Sequence, residues 1–180
     1  MSDITAELAK LKALRGSDFV GQLKVITARR EFHALETDPN IFIVGGENDD
    51  DFPNLLNAAR KAVDHGYTVY ILPNPHNFRT ADFIFERKGV YGLYDLKTVH
   101  GRNSVESQLI DSIDQSNRVL LNLVTDYNAR LLASDIKYYF EANKDAIEVL
   151  IFKANKVITV KRGLAINADF NRIFRKLFER

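Results

Sequence analysis

Apolar residues recur at helical spacing from the start of the chain: Ile4, Leu8, Leu11 and Leu14 share one face, and the run stops at Gly16. A second helix follows, with Ser17 and Asp18 as capping residues and Phe19, Val20, Leu23 and Ile26 as its apolar stripe. Residues 36–40, with Pro39 among them, read as the link out of this helical preface, so the preface spans 1–38 and a single domain spans 41–180. The period then changes. Ile41-Phe42-Ile43-Val44 is a continuous apolar run closed by Gly45-Gly46, which predicts a buried strand. Asp49, Asp50 and Asp51 ahead of Pro53 suit the electropositive start of a helix, whose stripe of Leu55, Leu56, Ala59 and Val63 ends at Gly66. Strands are predicted over 68–72, 81–86 and 90–99, the first ended by Pro73-Asn74-Pro75 and the last two joined by Arg87-Lys88-Gly89. After them come a helix over 105–114, a strand over 119–124, a helix over 130–143 and a hairpin of 147–153 with 156–161. A last helix is capped by Asn167 and keeps Phe170, Ile173, Phe174 and Leu177 on one face. This order predicts an α/β (α+β) fold: a central mixed, largely antiparallel sheet flanked by helices, behind an N-terminal helical preface.

Composition narrows the class. With 180 residues, 46% of them hydrophobic, the chain can bury one sizeable core. It has no cysteine, which excludes disulfides and thiolate metal sites. No signal-peptide pattern follows Met1 and no apolar run is long enough to span a bilayer, so the expected place of action is cytoplasmic, with no membrane partner and the delivery route open. A formal net charge of +1 argues against a protein that coats nucleic acid indiscriminately. The charge is unevenly spread, however. Lys153, Lys156, Lys161, Arg162, Arg172, Arg175, Lys176 and Arg180 crowd the last third, as a local basic face or as the solvated surface of a hairpin and helix.

The chemistry-bearing residues cluster around the strand pair at 81–86 and 90–99. Asp95 and Lys97 are two apart in a strand and point to the same face, where a core-facing strand would carry apolar residues. The pair therefore marks an open cleft, an edge or a satisfied buried ion pair; a surface pair would be worth well under about 1 kcal/mol. Asp82 begins the preceding strand in otherwise apolar sequence, and a buried carboxylate needs a partner, for which Lys97 is the candidate. Ser104, Gln108, Asp111 and Gln115 line one edge of the following helix, with Ser104 near its start, where backbone N–H groups attract anions. His76 and His100 lie in flanking loops with Arg79, Thr80, Thr98 and Arg102, and a histidine can move the protons of phosphodiester cleavage. His33 and His65 have no such company, and no histidine pair has zinc spacing.

Together Thr80-Ala81-Asp82, Asp95-Leu96-Lys97-Thr98, Ser104 and the step from Gln115-Ser116 into Val119-Leu120-Leu121 resemble the tRNase-like toxin domains of contact-dependent inhibition systems and mobile elements, in the barnase/EndoU/colicin-like ribonuclease superfamily. The resemblance covers roughly residues 54–162. It departs from the usual pattern at Ala81 for Pro, Asp95 for Glu and Asn54 for Glu. It implies a metal-free endoribonuclease, with tRNA as the substrate and an immunity protein covering the cleft. Asp82, Asp95, Lys97 and His100 would be catalytic, His76, Arg79, Thr98, Arg102, Ser104, Gln108 and Gln115 would bind RNA, and His76 is the alternative acid/base. The same residues also resemble the PD-(D/E)XK nuclease signature, which implies a DNA endonuclease in which Asp82 and Asp95 hold Mg²⁺ and Lys97 orients the attacking water. A third reading is a non-catalytic module that binds protein or nucleic acid through the ionic cluster.

Overall fold

The structure, a computed structural model, describes residues 3–74, 79–101 and 105–180. Eight strands hydrogen-bond in chain order within a mixed α+β fold that carries seven α-helices among the described residues. The strands are β1 (His33–Ala34), β2 (Ile41–Ile43), β3 (Thr68–Ile71), β4 (Phe83–Arg87), β5 (Val90–Val99), β6 (Arg118–Leu123), β7 (Glu148–Lys153) and β8 (Lys156–Lys161); the pairs β1–β2, β3–β4, β4–β5 and β7–β8 are antiparallel, and β2–β3, β5–β6 and β6–β7 are parallel. The predicted mixed, largely antiparallel sheet with helices ahead of it is the fold that forms. The chain divides into two compact units, Met1–Tyr94 and Asp95–Arg180.

In the first unit, α1 (Asp3–Ala9), a 3₁₀ turn (Lys10–Ala13) and α2 (Gly16–Thr27) bring Ile4, Leu8, Leu11, Leu23 and Ile26 into one cluster with Leu72, Ala81, Ile84 and Leu93. The second helix begins a residue earlier than predicted: Arg15 occupies its cap position, and Ser17 and Asp18 fall inside the first turn. β1 (His33–Ala34) is a two-residue edge strand without a signal in the sequence, beside β2 (Ile41–Ile43). α3 (Phe52–Asp64) buries Ala58, Ala59 and Ala62, small residues that let it lie close over β2 and β3 (Thr68–Ile71). Asp51 stands at its cap position with no side-chain cap bond. β4 (Phe83–Arg87) and β5 (Val90–Val99) close through Lys88-Gly89, with φ of 53° and 79°. Two positive φ values in a two-residue loop match the twist of an antiparallel hairpin, and glycine removes the strain at the second.

In the second unit, residues 95–99 of β5 run parallel to β6 (Arg118–Leu123), β6 parallel to β7 (Glu148–Lys153), and β8 (Lys156–Lys161) returns antiparallel. Val99, Val119, Leu121, Leu123, Val149 and Ile151 form one core with α4 (Val105–Asp111), α5 (Ala129–Ala142) and α7 (Phe170–Glu179). α4 is shorter than the periodicity predicts. After Asp111 the chain tightens into three-residue turns, Ser112 N–H to Leu109 C=O at 3.2 Å and Ile113 N–H to Ile110 C=O at 3.2 Å, and these keep the apolar stripe inward for a further turn. A one-turn helix, α6 (Arg162–Ala165), precedes α7, and Asp169 rather than Asn167 holds the α7 cap position. The Asn167 side chain instead accepts the Asp169 N–H at 2.8 Å.

Candidate functional site around Asp95 and Lys97

β5 continues past Tyr94 into the second unit with Asp95, Lys97 and Val99 on one face, and parallel pairing sets these opposite Val119, Leu121 and Leu123. Val99, Val119, Leu121 and Leu123 all belong to the core beneath α4, α5 and α7. An acid and a base thus occupy positions whose neighbours are core residues. The Asp95 carboxylate is buried and meets the Lys97 ammonium at 3.3 Å, while the Lys97 side chain keeps 18% of its surface exposed. Of the three settings the sequence leaves open, a buried pair is the one that forms, and its cationic end reaches solvent. Burying an ion is costly unless partners offset it, and Lys97 supplies the opposite charge at this distance.

A set of polar side chains in the same core was not singled out by the sequence pattern. Ser112 is fully buried and donates to the Leu109 carbonyl at 2.6 Å. Tyr139, on the inner face of α5, is buried with its hydroxyl near Ser112 and Asn143, and burial first, then the charge of Asp95, raises its pKa. Arg162 donates to the carbonyls of Phe140, Asn143 and Ala146, with Nη1 to Phe140 at 3.0 Å and Nε to Ala146 at 3.2 Å. A cation there satisfies the end of α5, where carbonyls have no helical partner. Nearer the start of α4, the Tyr127 hydroxyl donates to Asp135 at 3.2 Å; burial pushes the tyrosine up to about 12 and raises the Asp135 carboxyl. Asn122 interrupts the apolar run of Leu120-Leu121 and Leu123-Val124, and that interruption was the signal available.

The other expected site residues fall in different places. Asp82 belongs to the first unit, half-buried just before β4, with its N–H on the Tyr94 carbonyl at 3.1 Å. Lys97 meets Asp95, its neighbour along β5, at 3.3 Å. Arg79 is exposed in the first unit. Thr98 alternates to the face opposite Asp95 and Lys97, in register with the fully buried Asn122. His100 is exposed just past β5, about 10 Å beyond Lys97 at the rise of an extended chain. Gln108 lies on α4 with a buried Oε1, and Gln115 follows α4 with its amide on the Asp111 carbonyl at 3.4 Å. His76, Arg102 and Ser104 lie outside the described residues. Among the described residues no three His, Cys, Asp or Glu side chains gather as a metal site, and no helix is long and apolar enough to cross a membrane.

Neither a known protein family nor a curated protein matches the chain. Among solved structures, a CdiA-CT/CdiI toxin and immunity complex from Burkholderia pseudomallei is similar at a TM-score of 0.46 and 15% identity, over 63% of this chain and 86% of that one.

Proposed function

We propose that this chain is a nuclease that cuts phosphodiester bonds at the Asp95–Lys97 pair, with RNA as its substrate class. The observation behind the reading is the 3.3 Å ion pair in a core-facing strand position, anion buried and cation partly exposed. A buried carboxylate at that distance holds the neighbouring ammonium in place. Lys97 can then hold an attacking water and a phosphate oxygen at once, as a lysine with three donors does. In hydrolysis the water oxygen bonds to phosphorus, the bond to the leaving oxygen breaks, and that oxygen takes a proton.

The metal-assisted form of this chemistry is proposed in place of acid/base transfer by His100, because the pair sets a carboxylate beside the ammonium. Carboxylate oxygens suit a hard divalent cation, with Asp95 as one ligand. Such an ion would supply Lewis-acid polarisation of the phosphate. A tRNA target, toxin action in a cytoplasm and a cognate immunity protein belong to the same proposal and rest on the sequence resemblance.

The test is incubation of the purified chain with tRNA, single-stranded DNA and duplex DNA, in Mg²⁺ and in EDTA. The expected result is RNA cutting that needs Mg²⁺ and disappears in Lys97→Ala. Cutting that persists in EDTA restores the His100 route, DNA cutting alone changes the substrate, and cutting indifferent to Lys97→Ala overturns the site. A chain that cuts nothing returns the ionic pair to a binding role.

A further inference from the structure

The strongest unassigned feature is charge in the second unit. From residue 153 onward the chain holds eight Lys and Arg against Asp169 and Glu179, in a protein of formal net charge +1, so everything before that point is net acidic. Helix α7 sorts these residues by face. Phe170, Phe174 and Phe178 repeat every fourth residue and are buried in the core. Arg172, Lys176 and Arg180 have the same repeat displaced by two positions, which is about 200° around the helix at 3.6 residues per turn, and all three are exposed. They form a row in which successive cations are about 6 Å apart along the axis.

The row continues onto the β7–β8 hairpin. Lys153 donates to the Phe178 carbonyl, and Lys156 donates to the carbonyls of Leu177, at 3.1 Å, and Arg180. These bonds satisfy the last carbonyls of α7, fix the helix to the hairpin and add two ammonium groups beside Arg180. The acidic residues on the helix do not cancel the row. Asp169 meets Arg172 at 3.5 Å and Glu179 meets Arg175 at 3.8 Å, with the Asp169–Arg172 pair 63% exposed on both sides, and such pairs are weak and easily exchanged. The row itself is Arg and Lys without the apolar centre that a protein interface buries.

We infer that this face, the Arg172–Lys176–Arg180 row with Lys153 and Lys156 at its end, binds the phosphate backbone of a nucleic acid without reading sequence. The inference rests on the nuclease reading only for what the bound strand is used for. Repeated cations at fixed spacing displace counterions from a phosphate chain, so binding should fall steeply with salt.

The test uses the full chain carrying Lys97→Ala, so that no substrate is cut, and measures anisotropy of labelled tRNA and of a labelled mixed-sequence DNA strand across a KCl series. The triple change Arg172→Ala, Lys176→Ala and Arg180→Ala should reduce the slope of log affinity against log salt by about 3. It should also weaken binding about tenfold or more at moderate salt. Asp169→Asn, which releases Arg172, should tighten binding about twofold. Melting curves of the variants check that the fold is kept. An unchanged affinity and slope in the triple variant overturn the inference even if the chain cuts RNA. Equal, equally salt-sensitive binding of polyglutamate, lost in the same variant, overturns it in favour of an acidic protein partner. Salt-dependent binding lost in the triple variant supports it even if the chain cuts nothing.

Discussion

The two units handle polar groups in opposite ways. Among the described residues the buried polar and charged side chains are Asp95, Ser112, Ser116, Asn122, Asp135, Asn143 and Glu148, and every one lies in the second unit. The first unit packs aliphatic side chains and stacked rings such as Phe83 on Phe85, and its ion pairs, Arg60 with Asp38 and Lys10 with Glu7, sit at the surface. A buried polar group costs stability unless it is paired, so a unit that buries seven such side chains is constrained by more than packing. On the reading proposed here, the second unit is built around a site.

The sharpest way to break this contrast is at the proposed chemistry. Lys97→Ala should lower the rate of RNA cutting by about 10²–10⁴-fold, the range lost with a positioned catalytic group. Asp82→Asn, in the first unit, should instead lower the same rate by less than about tenfold. An Asp82→Asn loss as deep as that of Lys97→Ala would show that the first unit supplies equal chemistry, and the contrast would fall.

Next in size is a comparison of two ion pairs. Arg118 and Glu148 begin adjacent parallel strands and meet at 3.3 Å with Glu148 buried. Arg118→Ala removes the cation from beside that buried carboxylate and should cost about 3 kcal/mol in urea unfolding. A loss below about 1 kcal/mol would mean that water already reaches the pair.

The third effect is set by pH. Tyr127 ordinarily titrates near 10.0 and is pushed up to about 12 by burial and by Asp135. The folded protein therefore keeps a proton that the unfolded chain loses. The stability this provides is complete below pH 10 and is lost as pH rises from 10 to about 12. Alkaline unfolding of the wild type followed by circular dichroism should show that loss, and Tyr127→Phe should flatten it.

The smallest effect is Arg60→Ala, which removes the surface pair with Asp38 at 2.9 Å. The arginine holds the Asp38 carboxyl below its usual range, but the pair is exposed, and the stability change should stay under about 1 kcal/mol in the same urea assay. A larger loss would make the first unit depend on charge as the second does.

Much of the architecture was legible because periodicity is local. Helical spacing at Ile4, Leu8 and Leu11 and the continuous run of Ile41-Phe42-Ile43 marked a helix and a strand, and Lys88-Gly89 marked the hairpin turn. The departures lie where caps and contacts compete. Asp169 replaced Asn167 at the α7 cap position, α4 tightened after Asp111, and β1 exists because β2 offered an edge to pair with. Asp95 and Lys97 were visible as a same-face pair, yet Ser112, Tyr139, Asn143 and Arg162 look ordinary in the sequence, since nothing local says that they share one interior.

By itself, then, the order of residues determined which segments become helix or strand, which face of each is apolar, and that Asp95 and Lys97 project together, because these depend on spacings of two to four residues. Only the tertiary structure decided that this pair is buried at its anionic end and open at its cationic one. It also decided that the carbonyls of α5 end on Arg162 and that the cations of α7 stand in an exposed row joined by Lys153 and Lys156. Burial and charge proximity are properties of chain segments far apart in sequence, and they take values only once those segments pack.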